Sequence, residues 1–330
     1  MNVIRTAKDL GNGRRKVCLA IGVFDGVHLG HQQIIRQTIA DARQHDGLAL
    51  VVTFDQHPST IVSPDKVPPL IYSAPQKLRT IESLGADALL LLRFDRPFSQ
   101  QTGEAFIRQL ARDLGRILSI CVGADFVFGH QRSGNVSLLQ ALGAELKFAV
   151  HGIAAVALDG LSVSSTRIRE AIRAGDFDAA SQMLGRAYSL AGPVIRGDQL
   201  GHQLGFPTAN LDTTGLLLPP NGVYAANASL RTGVAPVSNQ PLQAEHGDGN
   251  RRDTCPPHRA VLNIGRRPTV NQPAPQPRVE VHLLDFAGDL YGQELEVTFA
   301  ARLRDEQKFD SLDQLKSQIA RDIAEARMRF

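Results

Sequence analysis

Apolar positions follow two regimes along the 330 residues. In the first, short and nearly continuous apolar runs at 17–24, 48–54, 88–94 and 117–122 alternate with segments of helical spacing. The helical segments include one through Gln33, Ile34, Gln37 and Ile39, and others over 76–84 and 103–114. Strands without polar alternation are buried on both faces, and amphipathic helices between them supply the cover, so the pattern predicts a parallel α/β sheet. Ser165 or Thr166 is placed to cap a further helix that turns Ile168 and Ile172 inward, followed by a shorter one to about residue 184. The first domain is expected to span 1–186 and to bind a nucleotide.

From Tyr188 the texture changes. Strand-like pieces at 188–195, 222–230, 260–264, 279–286 and 295–299 are separated by Gly- and Pro-rich turns. This predicts an antiparallel barrel in a second domain over 187–330. The connection 231–258 is polar, rich in Pro and Gly and without period, and is expected to be a disordered insertion. The chain closes with a helix whose apolar positions are Leu312, Leu315, Ile319 and Ile323.

Composition narrows the function. Hydrophobic residues make up 43% and charged residues 21%, enough for two cores and unlike a disordered chain. The net charge is +3, and its longest basic cluster is Arg14, Arg15 and Lys16, so a nucleic-acid-binding stripe is not expected. Three cysteines with no C-x-x-C pair support neither a disulfide framework nor a zinc site, which favours a reducing compartment, most simply the cytoplasm. The apolar runs are too short to span a membrane, and 17–24 runs into Asp25 as a core strand rather than a secretion signal.

Two strand-to-helix junctions carry candidate chemistry. In the first, Gly22, Phe24, Asp25 and Gly26 lead into His28, Gly30 and His31. Two histidines three apart at a helix start can address one anion, already favoured there by backbone N–H groups and the helix dipole. Gly30 clears space for a phosphate. Such a site suits displacement of pyrophosphate at an α-phosphorus, although the same histidines can also simply decorate a helix start. In the second junction, Ser164, Ser165, Thr166 and Arg167 can hold the leaving pyrophosphate, or form an ordinary cap.

These words, with GVFDGVHLGHQ at 22–32, TFDQHP at 53–58, VGADFVFGHQRSG at 122–134 and SSTRIREAI at 164–172, resemble the adenylyltransferase half of the bacterial riboflavin kinase/FAD synthetase family. The resemblance implies that His28 and His31 act on the transferred α-phosphate of ATP. It implies that Ser164 to Arg167 hold the triphosphate tail, and that Asp125, Phe126 and Phe128 lie near the nucleotide or flavin.

No Walker A loop or G-x-G-x-x-G is present, so kinase chemistry in the second domain needs another phosphate cradle. Gly197, Gly201 and Gly205 lead into FPTAN, where Thr208 and Asn210, two apart, can offer oxygens to Mg²⁺ from one strand face. Alone, the segment reads as a turn followed by a strand, with no chemical role. LGFPTANL at 204–211, NIGRRPTV at 263–270, VEVHLLDFAGDLYG at 279–292 and LRDEQKFDSLDQL at 303–315 resemble the riboflavin kinase half of the same family. That implies a six-stranded barrel with Thr208 and Asn210 near Mg·ATP and Glu280 as base toward the riboflavin 5′-hydroxyl. Asp305, Glu306 and Phe309 belong to the closing word without an assigned role. Two departures are His202, where the family usually carries Arg, and the insertion. Together the resemblances imply two successive reactions, riboflavin to FMN and FMN to FAD.

Overall fold

A computed structural model describes residues 1–10, 16–197, 201, 204–231, 257–265 and 277–330. The chain divides into two compact units, Met1–Leu70 with Ala74–Ser165, and Ile71–Ser73 with the described residues from Thr166 to Phe330.

The first unit is built on six parallel strands: β1 (Asn2–Ile4), β2 (Val17–Ile21), β3 (Leu48–Phe54), β4 (Ala88–Leu92), β5 (Ile117–Gly123) and β6 (Ala149–Ile153). β2 is buried at every position, and its side chains divide between two cores, Val17, Leu19 and Ile21 on one face and Cys18 and Ala20 on the other. Helices α1 (Leu29–Gln44) and α2 (Ala74–Ser83) close the second face through Ile34, Ile35, Leu78 and Ile81. Helices α3 (Gly103–Leu114) and α4 (Val136–Leu146) close the first through Phe106, Ile107, Leu110 and Leu139. The predicted parallel sheet covered on both sides is therefore present.

Strand order is β1-β4-β3-β2-β5-β6. The chain steps away from β2 through β3 to β4, then crosses back to place β5 on the other flank of β2. Sheets of this kind open a crevice beyond the carboxyl ends of the strands at that reversal, here between β2 and β5. The pattern did not anticipate β1, α4 or β6. β1 has three residues, too few to show a period, and β6 is an edge strand with no fully buried position. The first strand also stops at Ile21, short of the expected 24, because Phe24 takes a left-handed backbone.

In the second unit, α5 (Ser165–Ala174) and α6 (Phe177–Leu184) precede a closed barrel. Its strands are β7 (Ser189–Ile195), β8 (Ala209–Leu211), β9 (Gly222–Arg231), β10 (His258–Gly265), β11 (Arg278–Leu283) and β12 (Glu294–Arg304). They pair antiparallel in the order β7-β8-β11-β10-β9-β12, and β12 returns to β7, so the sheet has no edge strand. β12 extends well past the expected 295–299 because it pairs with both β7 and β9. Arg231 and His258 are strand residues, and the rest of the expected insertion, apart from Pro257, lies outside the described residues.

Helix α7 (Leu312–Met328) is held to the barrel by Asp322, which receives Arg304 Nε at 2.9 Å and Nη2 at 2.7 Å. Leu312 is exposed, against expectation, while Leu315, Ile319 and Ile323 face a cavity.

Candidate active sites

At the carboxyl end of β2, Gly22 N–H donates to Val52 O at 3.1 Å, and a Cβ on Gly22 would meet the Phe24 ring at 2.9 Å. The turn then passes through left-handed conformations at Phe24 (φ 53), Gly26 (φ 75) and Val27 (φ 40). For Phe and Val these cost energy and persist only where neighbours hold them. His28 is extended and caps α1 from outside, its Nδ1 accepting from His31 N–H at 3.4 Å. His28 thus precedes α1 while His31 lies in its first turn, so the pair is not set on one face of the helix. They meet by stacking instead, with ring centroids 3.6 Å apart and planes 21° from parallel. Phe24 stands edge-on to His31 at 5.3 Å, and a Cβ on Gly30 would lie 3.2 Å from the His28 ring.

Asp25 is buried, and its carbonyl accepts from Ser165 Oγ at 3.2 Å, so two words 140 residues apart in sequence meet. Ser164 and Ser165 belong to the first unit, whereas Thr166 and Arg167 are counted with the second.

Behind this turn stands Lys77 of α2, which the motifs did not reveal. Its Nζ donates to Phe54 O at 3.0 Å, Thr53 Oγ1 at 3.3 Å and Val23 O at 3.4 Å. Burial pushes its ammonium down to about 8, against the opposing pull of Asp25 and Asp55.

Beside the turn is a cavity of about 470 Å³, within the range of small-molecule sites. Phe54, Phe94, Phe98, Phe106, Phe126 and Phe128 line it. Phe126 and Phe128 stack at 5.1 Å in its wall, and Asp125 is not among the lining residues. Phe54 and Phe94 were missed, although β2, β3 and β4 each run into a Phe near the same sheet edge. The rim is a short hairpin, Val127–Phe128 against Gly134–Asn135, folded tightly onto the start of α3.

In the barrel, a second cavity of about 300 Å³ gathers Gly201, Thr208, Asn210, Glu280, His282 and Glu306. Asn210 and Glu280 are cross-strand partners, and Glu280 also opposes Asn263. Alternation turns Glu280 and His282 to the cavity while Val279 and Val281 are buried. The expected glycines act by close approach: a Cβ on Gly197 would collide with the Asn210 amide, and one on Gly201 with the Phe206 carbonyl. Gly205 turns the chain at φ 87. His282, not foreseen, contacts Pro207 O through Nδ1 at 2.7 Å. Phe309 and Glu306 line the cavity, whereas Asp305 is paired with Arg302 at 2.6 Å. His202 lies outside the described residues.

The first unit thus has the crevice and helix terminus of a nucleotide-binding α/β enzyme, and the second a barrel cavity lined by Thr208, Asn210, Glu280 and Glu306. Residues 12–167 match the FAD synthetase family and residues 184–330 the riboflavin kinase family. Bifunctional riboflavin kinase/FMN adenylyltransferases align over full length. The protein from Escherichia coli K12 is 36% identical over 100% of this chain and 98% of its own. That from Haemophilus influenzae is 34% identical over 100% and 99%, and that from Pseudomonas fluorescens 37% over 99% and 97%. The crystal structure of a macrolide-efflux protein from Streptococcus pneumoniae, 26% identical, superposes with a TM-score of 0.76 over 99% of both chains. The chain belongs to the bifunctional riboflavin kinase/FMN adenylyltransferase family. Among its described residues, no helix is long and apolar enough to cross a membrane.

The hairpin rim gives a structural prediction. Gly129 sits at φ 73, where an added Cβ would collide with the Gly103 backbone. Gly129→Ala should cost on the order of 1–3 kcal/mol, seen as a lower urea midpoint for the first unit.

Proposed function

We propose that the second unit transfers the γ-phosphoryl of ATP to riboflavin, giving FMN, and that the first transfers AMP from ATP to FMN, giving FAD and pyrophosphate. The observation carrying this reading is the stacked histidine pair at the α1 terminus beside a cavity of about 470 Å³ walled by phenylalanines. The reading keeps the functional boundary at 186/187. ATP as substrate of both reactions, with the free buried thiols of Cys18 and Cys121, favours the cytoplasm.

In the first unit, an FMN phosphate oxygen attacks the α-phosphorus of ATP, and the bond to the bridging β-phosphate oxygen breaks. His28 Nδ1 accepts from the backbone, which places the ring proton on Nε2, and that N–H can donate to the charge developing on the α-phosphate. His31 and the first-turn N–H groups of α1 add to that stabilisation. Gly22, Phe24, Asp25, Gly26 and Gly30 shape the approach. Ser164, Ser165, Thr166 and Arg167 hold the departing pyrophosphate, and Asp125, Phe126 and Phe128 orient the flavin.

In the second unit, Glu280 accepts the proton of the riboflavin 5′-hydroxyl as that oxygen attacks the γ-phosphorus, while the bond from the γ-phosphorus to the β–γ bridging oxygen breaks and ADP leaves. Gly197, Gly201 and Gly205 let the chain approach the phosphates closely. Mg²⁺ fits this wall, since Thr208 and Asn210 offer hard oxygens beside the Glu280 carboxylate. It would neutralise charge on the transferred phosphate. Thr208 and Asn210 are the residues that would hold it.

Product analysis tests the whole reading: riboflavin with ATP and Mg²⁺ should yield FMN and FAD, and FMN with ATP should yield FAD and pyrophosphate. Absence of FAD from FMN would refute the assignment of the first unit. His28→Ala or His31→Ala should lower FAD formation by about 10²–10³ and spare FMN formation. Glu280→Gln should lower riboflavin phosphorylation by about 10²–10⁴ while supplied FMN is still adenylylated.

A further inference from the structure

Lys77 stands at the ends of β2 and β3, and none of the motif words contains it. Three oxygens converge on it, the carbonyls of Val23 and Phe54 and the hydroxyl of Thr53, all within 3.4 Å. Thr53 is itself fully buried and donates to Val23 O at 3.0 Å. These carbonyls lie where the strands have ended, so an apolar side chain in place of Lys77 would leave the Phe54 oxygen without its ammonium donor. The charged groups facing the ammonium are Asp25, on the turn, and Asp55, just past β3.

The contact matters because the strained part of the turn begins at the very next residue. Phe24 is left-handed, its ring stands edge-on to His31, and His31 stacks on His28. A strained turn keeps its shape only while its neighbours restrain it. Lys77 restrains the Val23 carbonyl immediately before the strain begins, and α2 packs on the turn itself.

We propose that Lys77 is a positioning residue for adenylyl transfer, its ammonium locking the β2 turn to the end of β3 so that His28 and His31 keep their stacked presentation. This rests on the reading of the first unit as an FMN adenylyltransferase. The lock is electrostatic as well as hydrogen-bonded. Its ammonium, titrating near 8, is charged below that pH and neutral above it, where the attraction to Asp25 and Asp55 is lost. FAD formation should therefore fall as pH rises through about 8, while FMN formation in the other unit should not share that step.

The experiment measures kcat and KM for FMN-to-FAD conversion between about pH 6 and pH 9.5 in the full chain, as wild type, Lys77→Met and Lys77→Arg. Riboflavin phosphorylation by each protein, with circular dichroism, reports the folding. Lys77→Met should lower kcat about 10- to 100-fold, the scale of a small misplacement of catalytic groups, and should lose the alkaline step. Lys77→Arg keeps its charge throughout, so its profile should stay flat across the step. A step that persists in Lys77→Met, or a kcat within about twofold of wild type, would make Lys77 merely structural. A wild-type profile flat through about pH 9 overturns the proposal without any variant, which also decides the matter if Lys77→Met does not fold. A wild type that makes no FAD removes the adenylyltransferase reading and this proposal with it.

Discussion

Burial of β2 on both faces is the constraint on which the first unit depends. A strand with β3 on one flank, β5 on the other and apolar cores above and below can release its chain only past its carboxyl end. There the backbone must reverse into α1 within a few residues. It does so through Phe24, Gly26 and Val27, all at positive φ, and delivers His28 to the helix terminus. The reversal of strand order leaves the adjacent space empty, and the phenylalanines of neighbouring strand ends line it. The capped helix terminus and the aromatic cavity are thus two results of one packing requirement.

His28 shows how closely structure and chemistry are joined at this turn. Accepting the His31 N–H satisfies one of the orphan donors at the start of α1, and the same bond selects the tautomer with the proton on Nε2. The ring cannot leave its stack on His31 without uncapping the helix. For the proposed adenylyl transfer, preorganisation of this kind would leave little reorganisation to make as charge develops on the α-phosphate.

The barrel reaches a comparable end by other means. Closure removes free strand edges, and alternation along β11 sends Glu280 and His282 inward to the cavity while Val279 and Val281 enter the wall. Pairing with β8 sets Asn210 opposite Glu280, and Gly197 and Gly201 leave room for the Asn210 and Thr208 side chains. Arg304 and Asp322 then fasten α7 to the barrel with a bidentate ion pair, so Leu315, Ile319 and Ile323 line the cavity, and Ile323 also packs on the barrel's apolar cluster.

Periodicity was enough to read β2 to β5, α1 to α3 and the barrel strands other than β8, because two-sided burial, helical spacing and strand alternation are local properties of the chain. The local words also located the histidines, the serine-rich junction and the Thr208–Asn210 pair. Spacing misplaced His28 on the helix, since a capping residue does not obey helical geometry. It could not reveal Lys77, Phe54 and Phe94, whose meeting depends on strand order, nor His282, whose role depends on the path of Pro207. The sequence by itself determined the kinds of element, the two-domain plan and the family of chemistry. Only the tertiary structure decided which side chains converge, because contacts between residues distant in sequence follow from sheet order and packing, and no local pattern encodes either.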